Sequence, residues 1–165
     1  NILNNNIQGA IDYAEKFNCE FVPNQKPWGL KVDMAFPCAT QNEIGEEEAK
    51  IMIENGVKYI IEGANMPTTA AGVHYFTNNG GIIGPAKAAN AGGVAVSALE
   101  MSQNSMRYSW SKEEVDEKLQ MIMKNIHKAA VDASKRYNLG YDLIKGANIA
   151  GFEKVVLAMM SQGIY

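Results

Sequence analysis

The chain has 165 residues, 47 % hydrophobic and 20 % charged, with a formal net charge of −3 and two cysteines. That length suits one domain of ordinary size or a large part of one, and the mild acidity without a basic patch argues against a nucleic-acid partner. No run approaches the length needed to cross a bilayer and no signal-peptide pattern opens the chain, and Cys19 and Cys38 are too few and dispersed for a disulfide framework or a zinc site. A reducing, cytoplasmic setting is the expectation.

The opening Asn1-Ile-Leu-Asn-Asn-Asn6 has no initiator Met and begins in mid-pattern, so the chain is expected to be a piece of a longer protein. Ile7, Ala10, Ile11, Ala14 and Phe17 recur at helical spacing and predict a helix to about Asn18. Cys19 to Val22 reads as a short strand, and Pro23 to Gly29 as a loop.

A strand–loop–helix unit then occurs three times. Val32–Phe36 is a strand, Pro37–Asn42 its loop and Glu43–Asn55 its helix, with Asn42 placed as the better cap and Thr40 as the alternative. Lys58–Ile61, Glu62–Pro67 and Thr68–Asn79 repeat the pattern. Ile82-Ile83 is the third strand and Gly84–Gly93 its loop. A helix beginning near Gly92 or Gly93 follows, expected to be buried on several faces with Asn90, Ser97 and Glu100 among apolar residues.

Alternation of this kind predicts an α/β fold with a parallel sheet and right-handed crossovers. Ligands of such sheets bind outside the carboxyl ends of the strands. Three neighbouring loops that are small-residue-rich and carry Asn or Thr make a nucleotide-sized rim. From Ser111 the pattern turns helical. Ser111 and Glu114 have capping-box spacing, Trp110 and Val115 fit a hydrophobic staple, and an apolar stripe runs from Val115 to Ala133. Asn138 to Gly140 should stop that helix. A loop at Lys145–Asn148 and a last helix from about Ala150 to Gln162 complete the chain.

Several long motifs, in order, resemble the hexameric glutamate dehydrogenase family, in its C-terminal part. They are Phe36-Pro-Cys-Ala-Thr-Gln-Asn-Glu43, Glu62-Gly-Ala-Asn-Met-Pro-Thr-Thr69, Lys87-Ala-Ala-Asn-Ala-Gly-Gly-Val94, Leu99-Glu-Met-Ser-Gln-Asn104 and Gly146-Ala-Asn-Ile-Ala-Gly-Phe152. Lys26-Pro-Trp28 and Gln162-Gly163 resemble its NADP-preferring microbial and protist branch.

The resemblance implies the second half of a Rossmann-like NAD(P)-binding domain over residues 1–110. Residues 111–165 would be a helical segment packing toward a substrate domain. It implies reversible oxidative deamination of L-glutamate to 2-oxoglutarate and ammonia, by Lys-assisted carbinolamine and iminium chemistry with direct hydride transfer and no metal. NADP is the implied cofactor, with NAD as the alternative carrier, and a homo-hexamer the implied assembly of an enzyme of nitrogen assimilation.

Residue by residue, the resemblance matches Ala39 and Thr40 to the loop beside the nicotinamide ribose and pyrophosphate, Asn65 to the ribose contact and Asn90 to the carboxamide. It matches Val94 and Ser97 to the substrate's side chain and distal carboxylate. An Asn offers donor and acceptor to a carboxamide, and a Ser hydroxyl donates to a carboxylate, aided there by a first-turn helix dipole. The family's Gly-rich phosphate loop, catalytic Lys and Asp, substrate-gripping lysines and adenosine-ribose readers are expected N-terminal to this stretch. The chain alone is therefore expected not to turn over.

Other readings compete. Asn65 could be only a turn residue, Lys87 is more simply a surface or interdomain lysine than a phosphate ligand, and Cys38 has no neighbouring His to activate it. His74 and His127 lack spaced partners for a metal, and Gly-Ala-Asn at 146–148 reads as a loop and helix-start feature. The rival functions are a dehydrogenase for another amino acid, which Ser97 argues against, and a non-catalytic α/β binding or interaction module.

Overall fold

The structure is a computed structural model and describes residues 6–163; the opening Asn-rich stretch and the start of the 1–110 assignment lie outside the described residues. Helix α1 (Asn6–Phe17) leads into an extended stretch and a 3-10 turn at Pro27–Gly29. The three expected units follow as β1 (Met34–Ala35), α2 (Glu46–Glu54), β2 (Tyr59–Ile61), α3 (Ala70–Asn78) and β3 (Ile82–Gly84). Then come α4 (Ala86–Ala89), α5 (Ala91–Met106), α6 (Lys112–Arg136) and α7 (Leu143–Gln162).

The strands form a parallel sheet in the order β1-β2-β3, with Ala35 opposite Ile60 and Ile60 opposite Ile83. Each crossover steps to the next strand in the same direction. Right-handed connections therefore put α2 and α3 on one face, where they pack on each other. Between them and the sheet lies the core: Ile44, Ala49, Met52, Val57, Ile60, Phe76 and Ile83, with Trp28 and Ile144 at its margin. Gly81 is obligatory here, because a Cβ would meet the Phe76 ring at 2.2 Å. The long helices α6 and α7 pack along each other, and α7 meets the edge strand β3.

Turn chemistry falls where expected. Asn55 caps α2 and Gly56 follows at φ +87°, Gly80 takes φ +86° after α3, and Asn138 and Gly140 are left-handed after α6. At the head of α6, Ser111 Oγ accepts from the Glu114 amide at 3.2 Å while the Glu114 carboxylate accepts from the Ser111 amide at 2.8 Å. The Ser111 amide, chiefly, and then the Ser111 hydroxyl hold the Glu114 carboxyl below its ordinary range.

Five expectations need correction. The span Gly84–Gly93 is not all loop: the Ala88 and Ala89 amides close on Pro85 O, so Ala86–Ala89 is helical and α5 begins already at Ala91. Cys19–Val22 is not a strand; Asn18 turns left-handed, the Cys19 amide closes on Ala14 O, and no strand among the described residues pairs with it. Helix α2 starts at Glu46 rather than Glu43. Asn42 is left-handed and donates to Met66 O, and Ile44 makes a parallel bridge to Thr68, so the chain stays extended until Gly45. Helix α7 starts at Leu143, because the Asp142 carboxylate caps the Lys145 amide at 2.9 Å; the second Gly-Ala-Asn is therefore helical. Finally α5 has no buried residue, and Glu100 is exposed. Its Ala and Gly side chains fill little space, and it packs chiefly on α6.

Lys26 ties the N-terminal loop to α2. Its Nζ donates to Glu48 Oε1 at 2.5 Å and to Glu43 O at 3.0 Å. The Lys26 ammonium, chiefly, holds the Glu48 carboxyl below its ordinary range, helped by the Gly45 amide. A depressed carboxylate stabilises the fold above its unfolded pKa of about 4.3, and that contribution is lost as pH falls through the folded value. Lys26 keeps 54 % and Glu48 25 % of its side chain exposed, so solvent screens the pair. Lys26→Met should therefore lower stability by only about 0.5–1 kcal/mol near neutral pH. Denaturant midpoints across pH should show that difference vanish in acid.

Candidate active site

The carboxyl ends of the three strands are joined by hydrogen bonds into one rim. Pro37 O, just after β1, accepts from the Gly63 and Ala64 amides at 3.1 and 2.9 Å, which fixes the first tip against the second. The Asn42 amide reaches Met66 O at 3.0 Å. Between the second and third tips, the Glu62 amide donates to Gly84 O at 3.0 Å and Glu62 Oε2 accepts from the Ala86 amide at 2.7 Å.

At the outer end of the rim, Asn90 Nδ2 donates to Asn65 Oδ1 at 2.9 Å and to Ala64 O at 3.3 Å. Residues 25 positions apart in sequence thus share one hydrogen bond. That network assigns the amide orientations. It leaves Asn90 Oδ1 as an acceptor and Asn65 Nδ2 as a donor with no partner among the described residues. Asn65 is exposed and Asn90 half-buried, so both atoms are accessible to a ligand from outside.

In the first loop, the Ala39 and Thr40 amides donate to Glu43 Oε1 at 3.2 and 3.4 Å. Those backbone donors are occupied within the chain. What Thr40 offers a ligand is its exposed hydroxyl.

Helix α5 leaves this rim directly after Asn90. Val94 stands 70 % exposed in its first turn, and Ser97 is exposed one turn further. Ser97 Oγ donates to Gly93 O at 3.2 Å, within its own helix. One expectation about Ser97 is corrected. It is the seventh residue of α5, which begins at Ala91, and so sits about 9 Å along the axis. The helix dipole acts within the first turn, so it adds little at Ser97. The hydroxyl alone is what that position supplies.

Lys87 Nζ donates to Asn148 Oδ1 and links α4 to α7. A concavity of about 540 Å³ opens between α4, α6 and α7, lined by Lys87, Ile126, Ala130, Ala150 and Lys154. The rim is open, one wall of a site. Among the described residues no cluster of His, Cys, Asp or Glu could hold a metal, both cysteines are free and exposed, and no helix is long and apolar enough to cross a membrane.

Glu62 and Glu43, which fasten the loops, escaped the sequence reading. The signal for Glu62 was present: an ionisable residue directly after the apolar Tyr59-Ile-Ile61 must find a partner if buried. Glu43 gave no comparable signal.

Comparison with known proteins agrees with this architecture. The family described as Glutamate/Leucine/Phenylalanine/Valine dehydrogenase matches residues 2–163. The chain is 54 % identical to the NAD-specific glutamate dehydrogenase of Clostridium symbiosum over 154 residues, 93 % of this chain and 34 % of that protein. It is also 54 % identical to the NADP-specific glutamate dehydrogenase of Psychrobacter sp. TAD1 over 157 residues, 93 % of this chain and 35 % of the other. A solved glutamate dehydrogenase superposes with a TM-score of 0.91 at 52 % identity, covering 98 % of this chain and 35 % of that one. The chain thus spans about a third of the length of the curated relatives it matches.

Proposed function

The chain belongs to the glutamate/leucine/phenylalanine/valine dehydrogenase family, and on that premise we propose that the whole protein is a glutamate dehydrogenase interconverting L-glutamate with 2-oxoglutarate and ammonium. Residues 1–110 would then be the second half of its NAD(P)-binding domain, and residues 111–165 a helical segment packing toward a substrate domain. NADP(H) is the proposed carrier and NAD(H) the alternative, since relatives of both specificities are equally identical to this chain. A homo-hexamer in the cytoplasm completes the proposal.

The observation that carries it is the Asn65–Asn90 pair. The dinucleotide, when bound, supplies the centre that gives or takes the hydride. Its carboxamide needs an acceptor for its NH2 and its ribose needs a donor; Asn90 Oδ1 and Asn65 Nδ2 have the required polarity on neighbouring tips. The residues present fit the group. Asn90 would hold the carboxamide and so orient the ring, Thr40 would offer its exposed hydroxyl from the first loop, and Ala39 is small enough to leave the approach open. Val94 supplies an apolar wall for the substrate's methylenes, and Ser97 a donor for its distal carboxylate. No residue of this chain is assigned the proton transfers.

The reading is tested by NADPH fluorescence on the full-length protein with 2-oxoglutarate and ammonium. Consumption of NADPH, or of NADH in its place, that requires both 2-oxoglutarate and ammonium supports it; consumption of neither carrier would refute it. Ser97→Ala in that protein should raise the KM for glutamate about 10-fold or more, the worth of a hydrogen bond to a charged group. NADPH affinity should move by less than about twofold, since the hydroxyl does not touch the cofactor. Equal losses in both would count against Ser97 as a substrate contact.

A further inference from the structure

Among the described residues, Glu62 is the only buried ionisable side chain, 6 % exposed. No salt bridge accompanies it. Burying a carboxylate is costly unless strong hydrogen bonds replace its water. The bond it makes is specific. Its Oε2 accepts from the backbone amide of Ala86 at 2.7 Å, 24 residues later in the chain.

Ala86 is the first residue of α4, and the residue in the capping position is Pro85, whose side chain cannot accept a hydrogen bond. The amide at the head of α4 would be an orphan without a partner from elsewhere. Glu62 supplies that partner across the sheet, with a charge-assisted bond. Its own amide holds Gly84 O at 3.0 Å, so one residue of the second tip grips both sides of Pro85. Beyond this grip, Ala64 and Asn65 on one strand tip meet Asn90 on the other. Glu62 lies three residues before Asn65, and its partner Ala86 four before Asn90.

We propose that Glu62 is a positioning residue of the cofactor site. By capping α4 from the neighbouring strand it sets the register between the second and third tips, and so holds Asn65 Nδ2 and Asn90 Oδ1 toward the nicotinamide half of the dinucleotide. The inference rests on the functional reading above. It touches only half of the ligand: nothing in this grip bears on the adenosine end.

The experiment uses the full-length protein with two probes, NADPH and adenosine 2′,5′-bisphosphate, the second lacking the nicotinamide. Glu62→Ala should raise the Kd for NADPH about 10-fold or more and remove the fluorescence change of the bound dihydronicotinamide, the size expected when a charged hydrogen-bond partner is lost. Affinity for the bisphosphate should change less than about twofold. Glu62→Gln keeps an acceptor oxygen for the Ala86 amide and should restore NADPH binding to within about threefold of wild type. Should Glu62→Ala fail to fold, Glu62→Asp withdraws the carboxylate by one methylene and should show the same selective loss.

Equal losses for both probes, no loss for either, or a glutamine variant as impaired as the shortened one would overturn the inference. Wild-type protein that binds neither NADPH nor NADH would overturn the functional reading and the inference with it, before any variant is compared. Wild-type binding with an unaffected Glu62→Ala overturns the inference alone.

Discussion

Replacing Gly146 by alanine is expected to lower stability by about 3 kcal/mol or more, at the upper end of what overpacking usually costs. A Cβ at this position would stand 2.1 Å from Ala130 O, 2.9 Å from Ala130 C and 3.1 Å from Ser134 Cβ. The first two are backbone atoms, so no rotamer change relieves the clash; α6 and α7 must move apart. They meet there at their most enclosed point, with Ala130 2 % exposed and Ala133 and Ser134 fully buried. Ser134 Oγ also donates to Gly140 O at 3.0 Å and accepts from the Asp142 amide at 3.1 Å, so separation disturbs the turn that starts α7.

Gly151, five residues further along the same helix, is the control. A Cβ there meets nothing within 4 Å. Alanine at 151 should stabilise by about 0.5–1 kcal/mol through helix propensity. Chemical denaturation of both variants should therefore give opposite signs. A mild effect at Gly146 would mean the two helices do not lie as close as described.

Asn90→Ala is expected to reduce NADPH-dependent turnover about 10- to 100-fold, the consequence of losing roughly 1.5–3 kcal/mol of oriented hydrogen bonding. Two losses combine. The carboxamide loses its acceptor, and Asn65 Oδ1 loses the Nδ2 that fixes its amide at 2.9 Å. Stability should fall by less than about 1 kcal/mol, because both asparagines are at least partly exposed and water replaces the broken bonds. Steady-state kinetics beside thermal denaturation separates the two effects. Asn90→Asp is informative as well: it keeps an acceptor but turns the donor to Asn65 into a second acceptor, so it should be impaired despite its size.

Much of the rim was legible before the fold was. Period and punctuation placed Asn55-Gly56, Gly80 and Gly140 as stops, and each takes the conformation a stop requires. Three strands with intervening helices dictated three neighbouring tips, and the hydrogen bonds from the Ala64 amide to Pro37 O and from Asn90 Nδ2 to Asn65 Oδ1 join them.

The misses turn on tertiary partners, which outweighed local preference in two places and were lacking in two others. Asn42 looks like a cap but spends its amide on Met66 O, 24 residues away. Gly146 looks like a break in a helix, yet is there because another backbone passes within touching distance. Cys19–Val22 has the composition of a strand but pairs with no strand among the described residues. The small residues of α5 suggested a buried helix, while Val94 and Ser97 are exposed. Packing density cannot be read from residue size alone.

The most direct test of the site is a crystal structure of the full-length protein with NADPH bound. The nicotinamide carboxamide should lie within hydrogen-bond distance of Asn90 Oδ1, with the adjoining ribose at Asn65 and Thr40 beside it. A nicotinamide ring found in the groove between α4, α6 and α7, or on any surface away from the three strand tips, would contradict the account.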